Sequence, residues 1–203
     1  MTSLDVHVEP VSAGATTATA VSASPRTERR IGEYAAVTGA WAVAVVAAAT
    51  FPLDDPQVTR VALFFHLVSM AVGFGAVVMI DVYGLLWLFG HRTLAELVDL
   101  DKVAHGVIAG AVGGLLGSGI ALQPDLSTPL ARFKMLLVLG LMLNGLAAQR
   151  MLQRLGKRLP PTTRGASIPW TAFQRGLAAA LISQATWWGA IAIGFITNAQ
   201  RHS

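Results

Sequence analysis

The chain has 203 residues, of which 54% are hydrophobic and only 13% charged, and its mean hydropathy is +0.58. Soluble domains carry about 25% charged residues, so this composition excludes a water-soluble enzyme domain, a disordered chain and a collagen-like repeat. Without cysteine there is no disulfide, thiolate metal site, iron–sulfur cluster or covalent c-type haem attachment. The net charge of +4 stands between apolar segments rather than along a face with stacking aromatics, so it reads as membrane-orienting charge and not as a nucleic-acid surface.

Residues 1–30 are rich in Ala, Ser, Thr and Val and end in Ser24-Pro25-Arg26-Thr27-Glu28-Arg29-Arg30. They lack an apolar core and a basic start with a small-residue cleavage site, so the expectation is a disordered cytoplasmic tail and not a secretory signal. The transmembrane domain is expected over 31–203. A bilayer core of about 30 Å needs about 20 helical residues, and five apolar segments meet that length. The first span is expected over 34–51, stopping at Pro52-Leu53-Asp54-Asp55-Pro56. The second, 61–89, is longer than a perpendicular crossing needs and must tilt, kink near Gly73 and Gly75, or pass the interface. The third follows the capping-box pattern Thr93-Leu94-Ala95-Glu96, spans 103–122 and stops at Gln123-Pro124-Asp125. The fourth covers 130–152, and a basic loop containing Gly156, Pro160, Pro161 and Gly165 leads to the fifth, 172–197. The expected fold is an all-α, polytopic transmembrane helical bundle of five spans, a four-helix core plus one N-terminal helix.

Orientation follows from Lys and Arg in the short loops. A cytoplasmic N-terminus puts eleven of them inside (Arg26, Arg29, Arg30, Arg92, Lys102, Arg150, Arg154, Lys157, Arg158, Arg164 and Arg175) and four outside (Arg60, Arg132, Lys134 and Arg201). The expected location is the plasma (inner) membrane, with the C-terminus outside. Trp170 and Trp87 read as interfacial anchors.

An ionisable group within a span costs at least about 2.5–3.5 kcal/mol on insertion scales, so His66, Asp81, His105 and Lys134 need partners or an interface. Depth pairs His66 with Lys134 near the outside and Asp81 with His105 near the inside. The plainer readings are that Lys134 snorkels, that Asp81 and His105 sit at the interface, and that His66 is satisfied by a neighbour or a backbone carbonyl. Met70 shares a face with His66, and thioether plus imidazole is a soft donor pair for haem or copper(I); methionine as filler is the plainer reading. Gly106, Gly110, Gly114 and Ser118 recur every fourth residue, a surface for close helix approach or a slot for a flat cofactor. Asn144 and Gln184 read as interhelical hydrogen-bonding groups.

The segment from Phe64 to Leu155 resembles the superfamily of small four-helix membrane proteins that contains the CopD-type copper-resistance domain and the HemJ-type protoporphyrinogen oxidase. The features are His66 followed by Gly73-Phe74-Gly75, a helix ending in Gly117-Ser118-Gly119, and Phe133-Lys134-Met135-Leu136 opening the next, with Asn144 beyond. The resemblance implies haem b, with His66 as an iron ligand and Lys134 as a propionate or substrate partner. After the glycines the chain reads Asp81-Val82-Tyr83-Gly84, a departure from the oxidase pattern of Pro-Arg and then Tyr-His, so it implies the bundle more than that activity.

Three functions remain in view. The first is haem b binding for electron transfer or haem-linked chemistry, with Gly110 and Gly114 admitting the ring. The second is metal or ion transport along His66, Met70, Asp81 and His105, which requires an oligomer because five spans show no inverted repeat. The third is a non-enzymatic subunit that docks another membrane protein, or a second copy of the chain, through the glycine face. The expected partners are the lipid bilayer and such a protein, with no nucleic acid.

Overall fold

The computed structural model describes residues 25–50 and 55–201. Its five long helices are α1 (Pro25–Thr50), α2 (Pro56–Leu88), α3 (Leu94–Ala121), α4 (Pro129–Arg158) and α5 (Trp170–Arg201), with a short 3-10 turn at Gly165–Ser167. No strand occurs among the described residues, and all five helices are long and apolar enough to cross a membrane. The chain is an all-helical, multi-pass membrane protein. Residues 25–30, expected as the end of the tail, form the first turns of α1; the rest of that tail and Pro52-Leu53-Asp54 lie outside the described residues.

Local chemistry sets the helix starts. The Asp55 carboxylate accepts from the Gln57 amide at 2.7 Å, with Pro56 in the first turn where its missing N–H costs nothing. Thr93 and Glu96 form both bonds of the expected capping box. Thr128 caps α4, again with Pro129 in the first turn.

The helices pack as two intimate pairs, α2 with α3 and α4 with α5, and α1 lies against α3 and α4. Lipid offers no hydrophobic drive for helices to associate, so contact depends on how closely backbones approach. A Cβ at Gly73 would stand 2.9 Å from Ala111 Cβ and 3.4 Å from the Trp187 ring, so this glycine brings α2, α3 and α5 together. Gly114 likewise meets Ser69 of α2, where a Cβ would collide.

The best-enclosed apolar cluster lies at the basic end of the bundle. Trp87 and Leu88 of α2, Leu94 and Leu97 of α3 and Leu152 of α4 form it, flanked by Leu155, Ile168 and Phe173. The connection from α4 to α5 is stitched over it. Trp87 Nε1 donates to the Thr163 carbonyl (3.1 Å), the Leu94 amide donates to the same carbonyl (2.9 Å), and the Ala95 amide donates to that of Pro161 (2.9 Å). Arg164 donates to the Gly90 carbonyl at 3.1 Å. Gly165 lies against the Leu88 backbone, where any Cβ would clash. Trp87 is therefore not an interfacial anchor: it is 3% exposed, because the loop folds back over it. Trp170 is exposed and stacks on Phe173 at 5.2 Å.

Leu94 is 1% exposed and Leu136 is 58% exposed. Leu94→Ala is expected to destabilise the detergent-solubilised protein by about 2–5 kcal/mol, and Leu136→Ala by no more than about 0.5 kcal/mol, measured by thermal unfolding. Equal effects would refute a core at the basic end.

Candidate functional site

The intramembrane polar residues fall into separate contacts. His66 Nδ1 lies 2.9 Å from Ser118 Oγ across the α2–α3 seam. The Ser118 hydroxyl donates to the Gly114 carbonyl at 2.6 Å, so its oxygen is free to accept the His66 proton. The Leu115 carbonyl is a further acceptor for the ring. His66 is thus satisfied by a neighbour and a carbonyl, and it struts α2 against α3. Lys134 acts on His66 electrostatically, and its Nζ lies 3.4 Å from where a Cβ of Gly194 on α5 would stand.

Asp81 finds its hydrogen-bond partner on α5 rather than in His105: Gln184 Nε2 donates to its carboxylate at 2.8 Å. His105 is exposed and interacts with Asp101 one turn earlier on α3. Asn144 donates to the Ala179 carbonyl at 2.9 Å and ties α4 to α5, as expected of an interhelical amide. Met70 is half-buried. Among the described residues no group of three or more His, Asp or Glu converges on one point, so His66 and Met70 have no third donor of that kind.

Haem b needs an open iron ligand and a slot for its ring. His66 supplies a suitable nitrogen type, but Gly114 is closed by Ser69 and Gly110 opens away from any neighbour. Of the two glycines expected to admit the ring, Gly114 is thus occupied by α2 and Gly110 is open.

A concave feature lies at the basic end, where α4, α5 and the first turns of α1 meet in a groove of about 670 Å³. The sequence builds it simply. Arg150, Arg154 and Arg158 stand four residues apart and share one face of α4. Arg175 comes from the facing start of α5, and α1 brings Arg30 and Tyr34 to the same end because it runs antiparallel to α4. That direction is fixed by Trp41 Nε1 donating to the Met135 carbonyl (3.1 Å) at one level and by Glu33 meeting Arg150 at another. Arg150 is the enclosed member, with 11% of its side chain exposed. It donates to the Glu33 carboxylate at 2.6 and 3.2 Å and to the Arg30 carbonyl at 3.1 Å, and it lies 4.1 Å above the Tyr34 ring. No hydrogen bond or ion pair engages the guanidinium groups of Arg30, Arg154, Arg158 or Arg175 among the described residues. Deeper in the groove the wall turns apolar, with Ala147, Ala148, Ala178, Ala179 and Ile182.

Counting basic residues by loop gives these arginines an orienting role and misses their convergence. The four-residue spacing of Arg150, Arg154 and Arg158 was the available signal. Arg30 and Arg175 join only through tertiary packing.

Comparison with family models, curated proteins and solved structures returns no match.

Protein purified after expression with ample haem is expected to show no Soret band in its absorption spectrum. A band that disappears in His66→Ala would overturn the strut role given to His66.

Proposed function

We propose that this protein is a non-enzymatic, multi-pass component of the plasma membrane that binds an anionic amphiphile from the cytoplasmic leaflet at its basic end. The observation that carries this reading is one groove lined by five arginines, four of them without a protein anion among the described residues, whose inner wall is mostly apolar. Guanidinium groups bind phosphate and carboxylate oxygens through a planar fork, and basic pockets between transmembrane helices on the cytoplasmic side suit anionic head groups. The excess of Lys and Arg at that end supports a cytoplasmic N-terminus. In this reading Arg154, Arg158 and Arg175 face the head group, Arg150 holds α1 as a side wall, and the alanine rows accept the apolar part.

In detergent, phosphatidylglycerol is expected to stabilise the protein against thermal unfolding more than phosphatidylcholine does, with the difference shrinking at high salt. Arg154→Gln with Arg158→Gln should weaken phosphatidylglycerol binding about tenfold or more, since a charge-assisted hydrogen bond contributes about 1.5–3 kcal/mol. Arg60→Gln, at the opposite end, should change nothing. Equal binding by wild type and the double variant would sink the assignment.

A second reading, docking through α3, is favoured by its exposed glycines. Gly106, Gly110, Gly113 and Gly117 form one stripe with nothing within 4 Å of a Cβ, whereas Gly114 is already packed on Ser69. Gly110→Leu is then expected to dissociate an assembly without destabilising the monomer, while Gly114→Leu destabilises the monomer itself. Cross-linking in membranes together with thermal unfolding of each variant separates the two, and an assembly untouched by Gly110→Leu would exclude docking there.

A further inference from the structure

The arginines of the groove divide into two sets. Arg150 is compensated by Glu33, which receives two hydrogen bonds from it, and it is shielded by Tyr34. Arg30, Arg154, Arg158 and Arg175 carry four positive charges into the same space without a protein anion among the described residues. Several other cations at this end have partners: Arg29 pairs with Glu33, Arg92 with Glu96, Lys102 with Asp99, and Arg164 donates to Gly90, while Lys157 is exposed outside the groove. Four unpaired charges gathered in one concavity favour an external anion there.

Resting on the amphiphile reading above, we infer that the preferred ligand carries two phosphate groups on its head. A phosphodiester has two non-bridging oxygens, each able to accept more than one hydrogen bond, and a guanidinium engages them side-on or end-on. A single phosphate therefore engages all four free arginines only if their guanidinium groups converge on one point. Arg154 and Arg158 lie one turn apart on α4, a rise of about 6 Å, with Arg175 on the facing helix and Arg30 on α1. That spread suits two phosphate groups, each shared between two guanidinium groups, and not one compact anion.

The length of the groove separates an amphiphile from a soluble diphosphate. From Arg158 to Asn144 the lined face of α4 covers 14 residues, about 21 Å at 1.5 Å per residue, and half of a bilayer core is about 15 Å. Past the arginines the wall is mostly apolar, with Ala147, Ala148, Ala178, Ala179 and Ile182 offering packing to a hydrocarbon chain, and the Asn144 amide at its far end donates to the Ala179 carbonyl.

The test uses the full chain in neutral detergent at fixed ionic strength, titrated with cardiolipin, phosphatidylglycerol, phosphatidylcholine or inorganic pyrophosphate and read by native mass spectrometry. Cardiolipin, with two phosphates, is expected to bind about tenfold more tightly than phosphatidylglycerol, with phosphatidylcholine weakest and pyrophosphate unable to displace it. Arg154→Gln with Arg175→Gln should bring cardiolipin down to the affinity of phosphatidylglycerol. Arg92→Gln with Lys102→Gln, which removes paired charge outside the groove, should leave the ratio intact. Arg154→Lys with Arg175→Lys keeps the charge and loses the fork, so it should give an intermediate ratio and guard against a folding defect. Equal affinity for cardiolipin and phosphatidylglycerol would overturn the two-phosphate inference and leave the amphiphile reading standing. Equal affinity for phosphatidylcholine as well would overturn both. Displacement of cardiolipin by pyrophosphate would assign the groove to a soluble anion, and a ratio unmoved by the arginine variants would place the selectivity elsewhere.

Discussion

The indole N–H of Trp87 bound to the Thr163 carbonyl is the joint on which the arrangement of the bundle depends. Thr163 belongs to the connection between α4 and α5, while Trp87 ends α2, so one hydrogen bond couples the two helix pairs. The Leu94 amide takes the same carbonyl, which leaves that acceptor fully used and fixes the start of α3 as well. Gly165 lets the chain close onto Leu88. This corner holds the connection at the basic end, where the end of α4 and the start of α5 line the arginine groove.

Away from that corner the bundle is held by different means. In lipid an apolar side chain gains nothing by leaving one hydrocarbon environment for another, so dispersion contacts and interhelical hydrogen bonds carry the association. Gly73 against Ala111 and Gly114 against Ser69 bring α2 and α3 close enough for His66 to reach Ser118. Asp81 with Gln184 and Asn144 with the Ala179 carbonyl do the same work for α5. His66, Asp81 and Asn144 thus spend hydrogen-bonding capacity across helices, whereas the Thr186 and Thr197 hydroxyls turn back to carbonyls of their own helix. The large apolar side chains left outside, such as Phe64, Phe133 and Phe195, face the surrounding lipid.

How much of this was legible in the sequence differs by element. The five helices, the stops around Asp55 and Pro124 and the Thr93–Glu96 cap are local, and local pattern revealed them. Asn144 was readable as an interhelical amide because a polar amide in an apolar helix has few other uses. The helix that would satisfy His66 was not readable, since Ser118 lies 52 residues away on another helix. Asp81 was assigned the wrong partner by depth alone: residues at a similar level need not share a face, and Gln184 on α5 stood closer. Trp87 misled for a related reason. An aromatic at a helix end is an interfacial anchor only when the following loop leaves it open, and here the loop covers it.

The arginines show the same limit most clearly. Lys and Arg in loops report which side of a membrane they occupy, and eleven against four made that asymmetry plain. Orientation needs only that the charges lie on one side; it places no demand on their grouping. Spread over the surface, they would repel weakly through water and salt. Gathered as Arg30, Arg154, Arg158 and Arg175 around one concavity, they raise the local positive potential, because the low-dielectric walls of a cleft concentrate field lines. The Glu33–Arg150 pair relieves one charge and ties down α1, yet it leaves the other four facing one another. Such a grouping disfavours the empty groove and favours any anion that enters it, and the proposed anion site rests on this energetic asymmetry, which charge that merely orients a membrane protein does not require.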